Sequence, residues 1–242
     1  MKAWRHFKNI TYHKYLVMKG FFAVGLYRQG ILHDMSKYSP TEFMVGARFY
    51  QGDRSPNNAE RELYGYSKAW LHHKGRNRHH YEYWIDYSSR GSHTGLLPAP
   101  MPVRYVVEMF MDRIAASKVY NKKSYSDSDS LFYYKNGVES IPNLIHEETK
   151  QLLEELLNLL AEKGEQFTFD YIRTVVLKKR KLEEKLADSE KLSVIEEIDS
   201  DEDDERKKNP LQDNLHECED FENHPQITDV REVITYEKGK TG

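Results

Sequence analysis

Residues 31–43, ILHDMSKYSPTEF, lie between two segments of helical periodicity. Upstream, apolar residues recur every three to four positions (Trp4, Phe7, Ile10, Leu16, Val17, Phe21, Val24), which predicts a helix over about 4–30. Downstream, Ser39-Pro40-Thr41-Glu42 reads as a stop followed by a new helix over about 41–50, with Pro40 near its first turn. QGDRSPNN at 51–58 reads as a loop. Helix is predicted again over 59–73, tolerating Gly65, with a break at Gly75 and Asn77 and a short helix over about 79–87. Residues 88–101 read as a flexible loop. Pro102 opens a helix to about Tyr120, and 121–145 read as irregular. Leu152, Leu153, Leu156, Leu159 and Leu160 give an amphipathic helix over 147–163 ended by Gly164, and a last helix covers about 168–187. The best strand signal is QITDVREVITY at 226–236. The predicted fold class is all-α.

Charge and aromatic content divide the chain. Residues 1–182 carry a net charge of +9 and residues 183–242 one of −12, and 28 of the 30 aromatic residues precede position 183. A core needs large apolar side chains to offset chain entropy. The expectation is therefore a helical bundle over 1–182 and a mostly disordered acidic tail over 183–242, with EEIDSDEDDE at 196–205 at its centre. The one cysteine, Cys218, lies in that tail, so no disulfide or cysteine-based zinc site forms within one chain. The apolar run 15–27 is shorter than the ~20 residues a bilayer span requires and contains Lys19. It reads as a buried helix, and the expected location is the cytoplasm, without a membrane partner.

Nine of the eleven histidines lie in the first 146 residues, four of them as adjacent pairs, His72-His73 and His79-His80. His6 and His13 are seven apart, as are His72 and His79, and His73 and His80. Positions seven apart on a helix project within about 20° of each other. If the helix breaks at Gly75, the turn can still fold the second pair back on the first. Asp112 lies in a helix, VVEMFMDRIAASK, whose other face is apolar. Imidazole and carboxylate together suit Mn, Fe, Co, Ni or Zn. Walker-type phosphate loops, G-x-G-x-x-G and G-x-S-x-G are missing from the sequence.

The order histidine, His-Asp, later histidines, then a helical aspartate resembles the HD-domain superfamily of metal-dependent phosphohydrolases. ILHDMSK is similar to its signature, with Lys37 three positions after the aspartate, and MDRIAASK is similar to its last motif. ILHDMSKYSPTEF and HHKGRNRHHYEYW also look like an uncharacterised bacterial family with this pattern. The resemblance covers roughly residues 5–125 and implies an HD-like helical bundle holding one or two divalent metal ions. Carried over, it makes His13 the first-helix ligand, with His6 as rival, and His33 and Asp34 the central pair, with Asp34 bridging if two ions bind. His73 and His80 serve the second metal, with His72 and His79 as alternatives, and Asp112 closes the first. Only 20 residues separate His13 from His33, short for that family.

The implied function is hydrolysis of a small phosphorylated molecule, such as a nucleotide, with Asp34, Lys37 and His79 as candidate catalytic residues. Fixed cations must meet the charge on phosphate, and Lys37, Arg76, Arg78, Arg113 and Lys118 lie beside the proposed ligands in sequence. Ser36, Glu82 and Asp86 are candidates to orient the imidazoles. Alternative readings are a non-catalytic metal-containing binding module whose acidic tail recruits a basic protein, and an HD-type di-iron oxygenase. The −12 tail argues against nucleic acid as a partner.

Overall fold

Helix α1, Lys2–Val24, buries His6, Ile10, His13, Val17, Gly20, Phe21 and Val24, one face at helical spacing. This is a computed structural model, and it describes residues 2–88, 95–138, 144–182 and 185–186. The predicted helix over 4–30 is interrupted. Gly25 adopts φ +82°, the Gly25 amide bonds to Phe22 O at 3.3 Å and the Leu26 amide to Phe21 O at 3.0 Å. That is a Schellman end, which needs a left-handed residue. Helix α2, Tyr27–Leu32, then lies against α1 through Gly30, where a Cβ would meet Phe21 Cβ at 2.7 Å. The turn and the close approach return the chain so that His33 and Asp34 face His13.

A 3₁₀ turn, Met35–Tyr38, leads into α3, Pro40–Phe49, with Pro40 in the first turn as the sequence indicated. The segment expected as one helix over 59–73 is two, α4 (Pro56–Tyr64) and α5 (Lys68–Lys74), divided at Gly65, φ +78°. Ser67 caps α5, accepting from the Trp70 amide at 3.0 Å while donating to buried Glu60 at 2.5 Å.

The short helix expected over 79–87 is only a 3₁₀ turn, Tyr81–Trp84. Ile85–Ser88 (β1) instead pairs antiparallel with Gly95–Pro98 (β2), so part of the expected 88–101 loop is strand. Ile85 and Tyr87, β-favouring residues, open an exposed two-stranded ribbon where alternation was too short to read. The region expected to be irregular, 121–145, contains helix α7, Asp129–Val138. Its start is fixed by Asp129, which accepts from the Ser126 amide at 3.0 Å and from the Ser126 hydroxyl at 2.9 Å.

Helix α6, Val103–Asn121, and helix α8, Glu147–Tyr171, supply most of the core. Val106, Val107, Phe110, Met111 and Ile114 meet Leu153, Leu156, Leu157 and Leu160 with Phe21 and Val17 of α1. Burying each of the larger side chains contributes about 1.5–3 kcal/mol. Gly164, φ +79° and ψ +174°, breaks α8 at the residue the sequence marked, and helical turns resume beyond it. Among the described residues the fold is all-α apart from the one hairpin. None of these helices is long and apolar enough to cross a membrane. Of the tail only residues 185–186 are described, and its strand candidate at 226–236 lies outside the described residues.

Candidate metal centre

Four segments remote in sequence meet around Asp34. His13 comes from the core-facing stripe of α1. His33 and Asp34 follow the end of α2. His73 is on α5, and the chain then turns back, with the amides of Arg76 and Asn77 both bonded to His73 O, at 3.1 and 3.0 Å. That reversal places His79 and His80 beside His73, so the pairs converge through a turn and not along one helix. Asp112 and Glu108 lie one turn apart on α6. Asp34 itself has φ +53° and ψ +26°, a left-handed conformation that aspartate tolerates better than most side chains.

The two carboxylate oxygens of Asp34 face different histidines. Oδ2 lies 3.1 Å from His33 Nε2 and 3.9 Å from His13 Nε2. Oδ1 lies 3.3 Å from His73 Nε2 and 3.6 Å from His79 Nε2. Two sets of possible metal ligands therefore share Asp34: His13, His33, Asp34 and Asp112, and Asp34, His73, His79 and His80, each with its ligand atoms within 4.8 Å of one another. Asp112 Oδ1 is 2.9 Å from His13 Nε2 and 3.4 Å from His33 Nε2.

The opposite ring edges are held by other carboxylates. His33 Nδ1 donates to Glu108 Oε1 at 2.9 Å, and His79 Nδ1 lies 3.3 Å from the same oxygen. Glu42 accepts from His73 Nδ1 at 2.8 Å and from His72 Nδ1 at 2.6 Å. A carboxylate on Nδ1 keeps the proton there and leaves the Nε2 lone pair aimed inward, the tautomer a metal ligand needs. The Nε2 atoms of His33, His79 and His80 and Oδ1 of Asp34 are buried without a hydrogen bond among the described residues, whereas Asp34 Oδ2 is met by Lys37. Leaving such a group unsatisfied costs about 1–3 kcal/mol. So many buried nitrogen and oxygen atoms turned toward one point, most of them unpaired, fit a cation at the centre.

Charges in the cluster answer one another. Burial opposes ionisation of Asp34, yet His33, Lys37 and His73 hold its pKa well below the usual carboxylate range. Burial likewise opposes charging of His33, but Asp34 with Asp112 and Glu108 raises its pKa well above the ordinary value. Glu108, despite burial, is brought to about 2 by His33 and His79. His80 is pushed well down by burial and by neighbouring His79 and His73. Lys37 Nζ pairs with Asp34 Oδ2 at 2.5 Å, and despite burial Asp34 and Asp112 raise the lysine pKa.

The remaining candidates lie as follows. His6 is not in the cluster; it packs over Gly46 and against Phe43 and Tyr50. His72 is turned to Glu42 and belongs to neither ligand set. His79, named from sequence as catalytic and as a rival ligand, stands in the second set together with His80. Ser36 reaches His73 Nδ1 at 3.3 Å. Asp86 is an exposed strand residue bonded to the Tyr87 amide, and no hydrogen bond or ion pair joins Glu82 to the histidines. Arg113 lies over the Tyr134 ring at 5.4 Å, and Lys118 is paired with Glu165. Arg76 and Arg78 line a cleft behind the cluster. Glu42 and Glu108 were missed. Glu108 precedes Asp112 by four residues, so helical spacing alone puts it on the same face; Glu42 carries no comparable signal.

Fold and cluster together define an all-α protein with a buried histidine–carboxylate centre able to hold a metal. The chain belongs to DUF5662, a family of unknown function, which matches residues 2–159 and so includes every residue of the cluster. No curated protein and no solved structure matches it.

Proposed function

We propose that this protein is a metal-dependent phosphohydrolase acting on a small phosphorylated molecule. The observation that carries this reading is the sharing of Asp34: each oxygen faces its own set of imidazoles. A bridging carboxylate between two histidine sets is the ligand pattern expected of a two-ion centre, and its order along the chain resembles HD-domain phosphohydrolases. His13, His33, Asp34 and Asp112 would hold one ion, and Asp34, His73, His79 and His80 the other. Bound divalent ions supply a nucleophile at neutral pH and positive charge for phosphoryl oxygens.

The chain's own residues then have distinct tasks. Glu108 and Glu42 hold imidazole rings in register. The centre opens at Lys37 and Asp112, whose side chains are 28% and 19% exposed. Lys37 stands at this opening beside Asp34, where its ammonium would serve as a fixed cation for an incoming phosphate.

The test uses the purified full chain loaded with Mn, Co or Ni and assayed on p-nitrophenyl phosphate and on nucleoside monophosphates. Wild type is expected to bind metal and release phosphate, and His33→Ala and Asp34→Ala to lose both. Equal metal content in all three proteins would remove these residues as ligands. Metal binding without hydrolysis of any phosphoester would remove the catalytic reading.

A further inference from the structure

The arginines beside the cluster open on the side opposite the one where the ligand sets converge. A cleft of about 700 Å³ is walled by the α1–α2 turn, by residues 76–78 and by the start of α6. Its lining includes Arg28, Arg76, Arg78, Arg104 and Arg180, together with Tyr105 and Glu108. The guanidinium groups of Arg28, Arg76, Arg78 and Arg104 form no ion pair among the described residues. Arg78 donates to Tyr105 Oη at 3.4 Å, and Arg104 lies 4.7 Å from the Tyr105 ring centre. The one carboxylate in the lining, Glu108, is already engaged by His33, His79 and Gln29.

Ring geometry separates this cleft from the ligand centre. Glu108 meets His33 and His79 at Nδ1, whereas their Nε2 atoms turn to Asp34. Asn77, also in the lining, contacts His73 at Nδ1 and not Nε2. The imidazole rings thus stand between the arginines and Asp34.

We propose that this cleft is a second site, distinct from the metal centre, that binds a compact anion bearing two or more phosphate groups. Guanidinium groups match phosphate oxygens in fork geometry and hold them more strongly than neutral donors do. The volume lies within the range of small-ligand sites. Five like charges around one concavity focus field on an anion. The occupant sits against Glu108 and Gln29, so it touches the group that orients one imidazole of each ligand set. The site does not depend on the hydrolase reading.

The experiment is calorimetric titration of the full chain with inorganic pyrophosphate and tripolyphosphate, in chelator so that no metal contributes. Wild type is expected to bind both, tripolyphosphate more tightly. The exposed pair change Arg76→Glu with Arg104→Glu is expected to weaken binding by at least about tenfold. The milder Arg76→Gln with Arg104→Gln gives a smaller loss, and circular dichroism checks that both variants fold. Asp34→Ala is expected to bind as wild type does. No binding at millimolar anion, or equal affinity in the arginine variants, overturns the proposal. So does binding that Asp34→Ala abolishes and the arginine variants retain. Failure of the metal-centre reading appears separately, as absence of metal from wild type.

Discussion

Glu108 Oε1 lies 2.9 Å from His33 Nδ1, on the ring edge opposite the one that faces Asp34. The same oxygen reaches His79 at 3.3 Å, so one glutamate braces a histidine of each ligand set. Glu108→Ala is expected to lower metal affinity about 10- to 100-fold, the usual effect of losing a ligand's supporting carboxylate. Glu108→Gln, which keeps one acceptor, is expected to recover part of it. Competition with a chromogenic chelator measures both, and an unchanged affinity would show that Glu108 only packs.

The shared position of Asp34 makes a statement about stoichiometry. Wild type is expected to carry two ions per chain by elemental analysis, His13→Ala and His80→Ala one each, and Asp34→Ala none. Ligand binding to the folded state at 100 times its dissociation constant stabilises by about 2.7 kcal/mol. Chelator is therefore expected to lower the melting temperature of wild type and leave that of Asp34→Ala unmoved. Equal shifts in the two proteins would speak against a metal at Asp34.

At Gly46, a Cβ would meet His6 Nε2 at 2.1 Å, with the ring itself buried between α1 and α3. Gly46→Ala gains about 1 kcal/mol of helix propensity, but overpacking costs about 1–3 kcal/mol. A net loss of up to about 2 kcal/mol is expected in urea unfolding. Adding His6→Ala should abolish the overpacking term; if the double variant shows the two losses simply summed, the ring is not the obstacle.

His6 also carries a pH dependence. Burial, with Lys37 second, lowers its pKa from 6.5 to about 4. Above pH 6.5 the ring is neutral in folded and unfolded chains alike. Between 6.5 and 4 the unfolded chain takes up a proton that the folded one does not. Stability is therefore lost as pH falls through that window, by up to about 3 kcal/mol for this group. Unfolding free energies at pH 7, 5.5 and 4.5 should fall more steeply for wild type than for His6→Gln. Parallel profiles would reject the assignment.

Much of this was legible in the sequence because strong period and chemistry coincided. The stripe through Ile10, Val17 and Phe21 places His13 toward the core, and the His-Asp dipeptide and the helical aspartate marked side chains that the fold does gather. What was not legible depends on where the chain turns. Gly25 and Gly65 each interrupt an apolar pattern that continues across them, so one helix was read where two exist. Ile85–Ser88 is too short for alternation to declare a strand. Which histidine of a pair faces inward follows from the reversal after Lys74, a tertiary event, and it admits both His79 and His80 while turning His72 to Glu42.

The backbone at residue 34 narrows what evolution can place there. With φ at +53°, branched and bulky side chains are disfavoured, which leaves glycine, asparagine, aspartate and histidine as the readily tolerated types. Of these only aspartate offers two anionic oxygens that can look in opposite directions. Two filters, one steric and one chemical, each pass several letters of the amino-acid alphabet, and they overlap in a single one. Homologous chains that drift at this position are thus expected to abandon the centre altogether, with no partial substitute open to them.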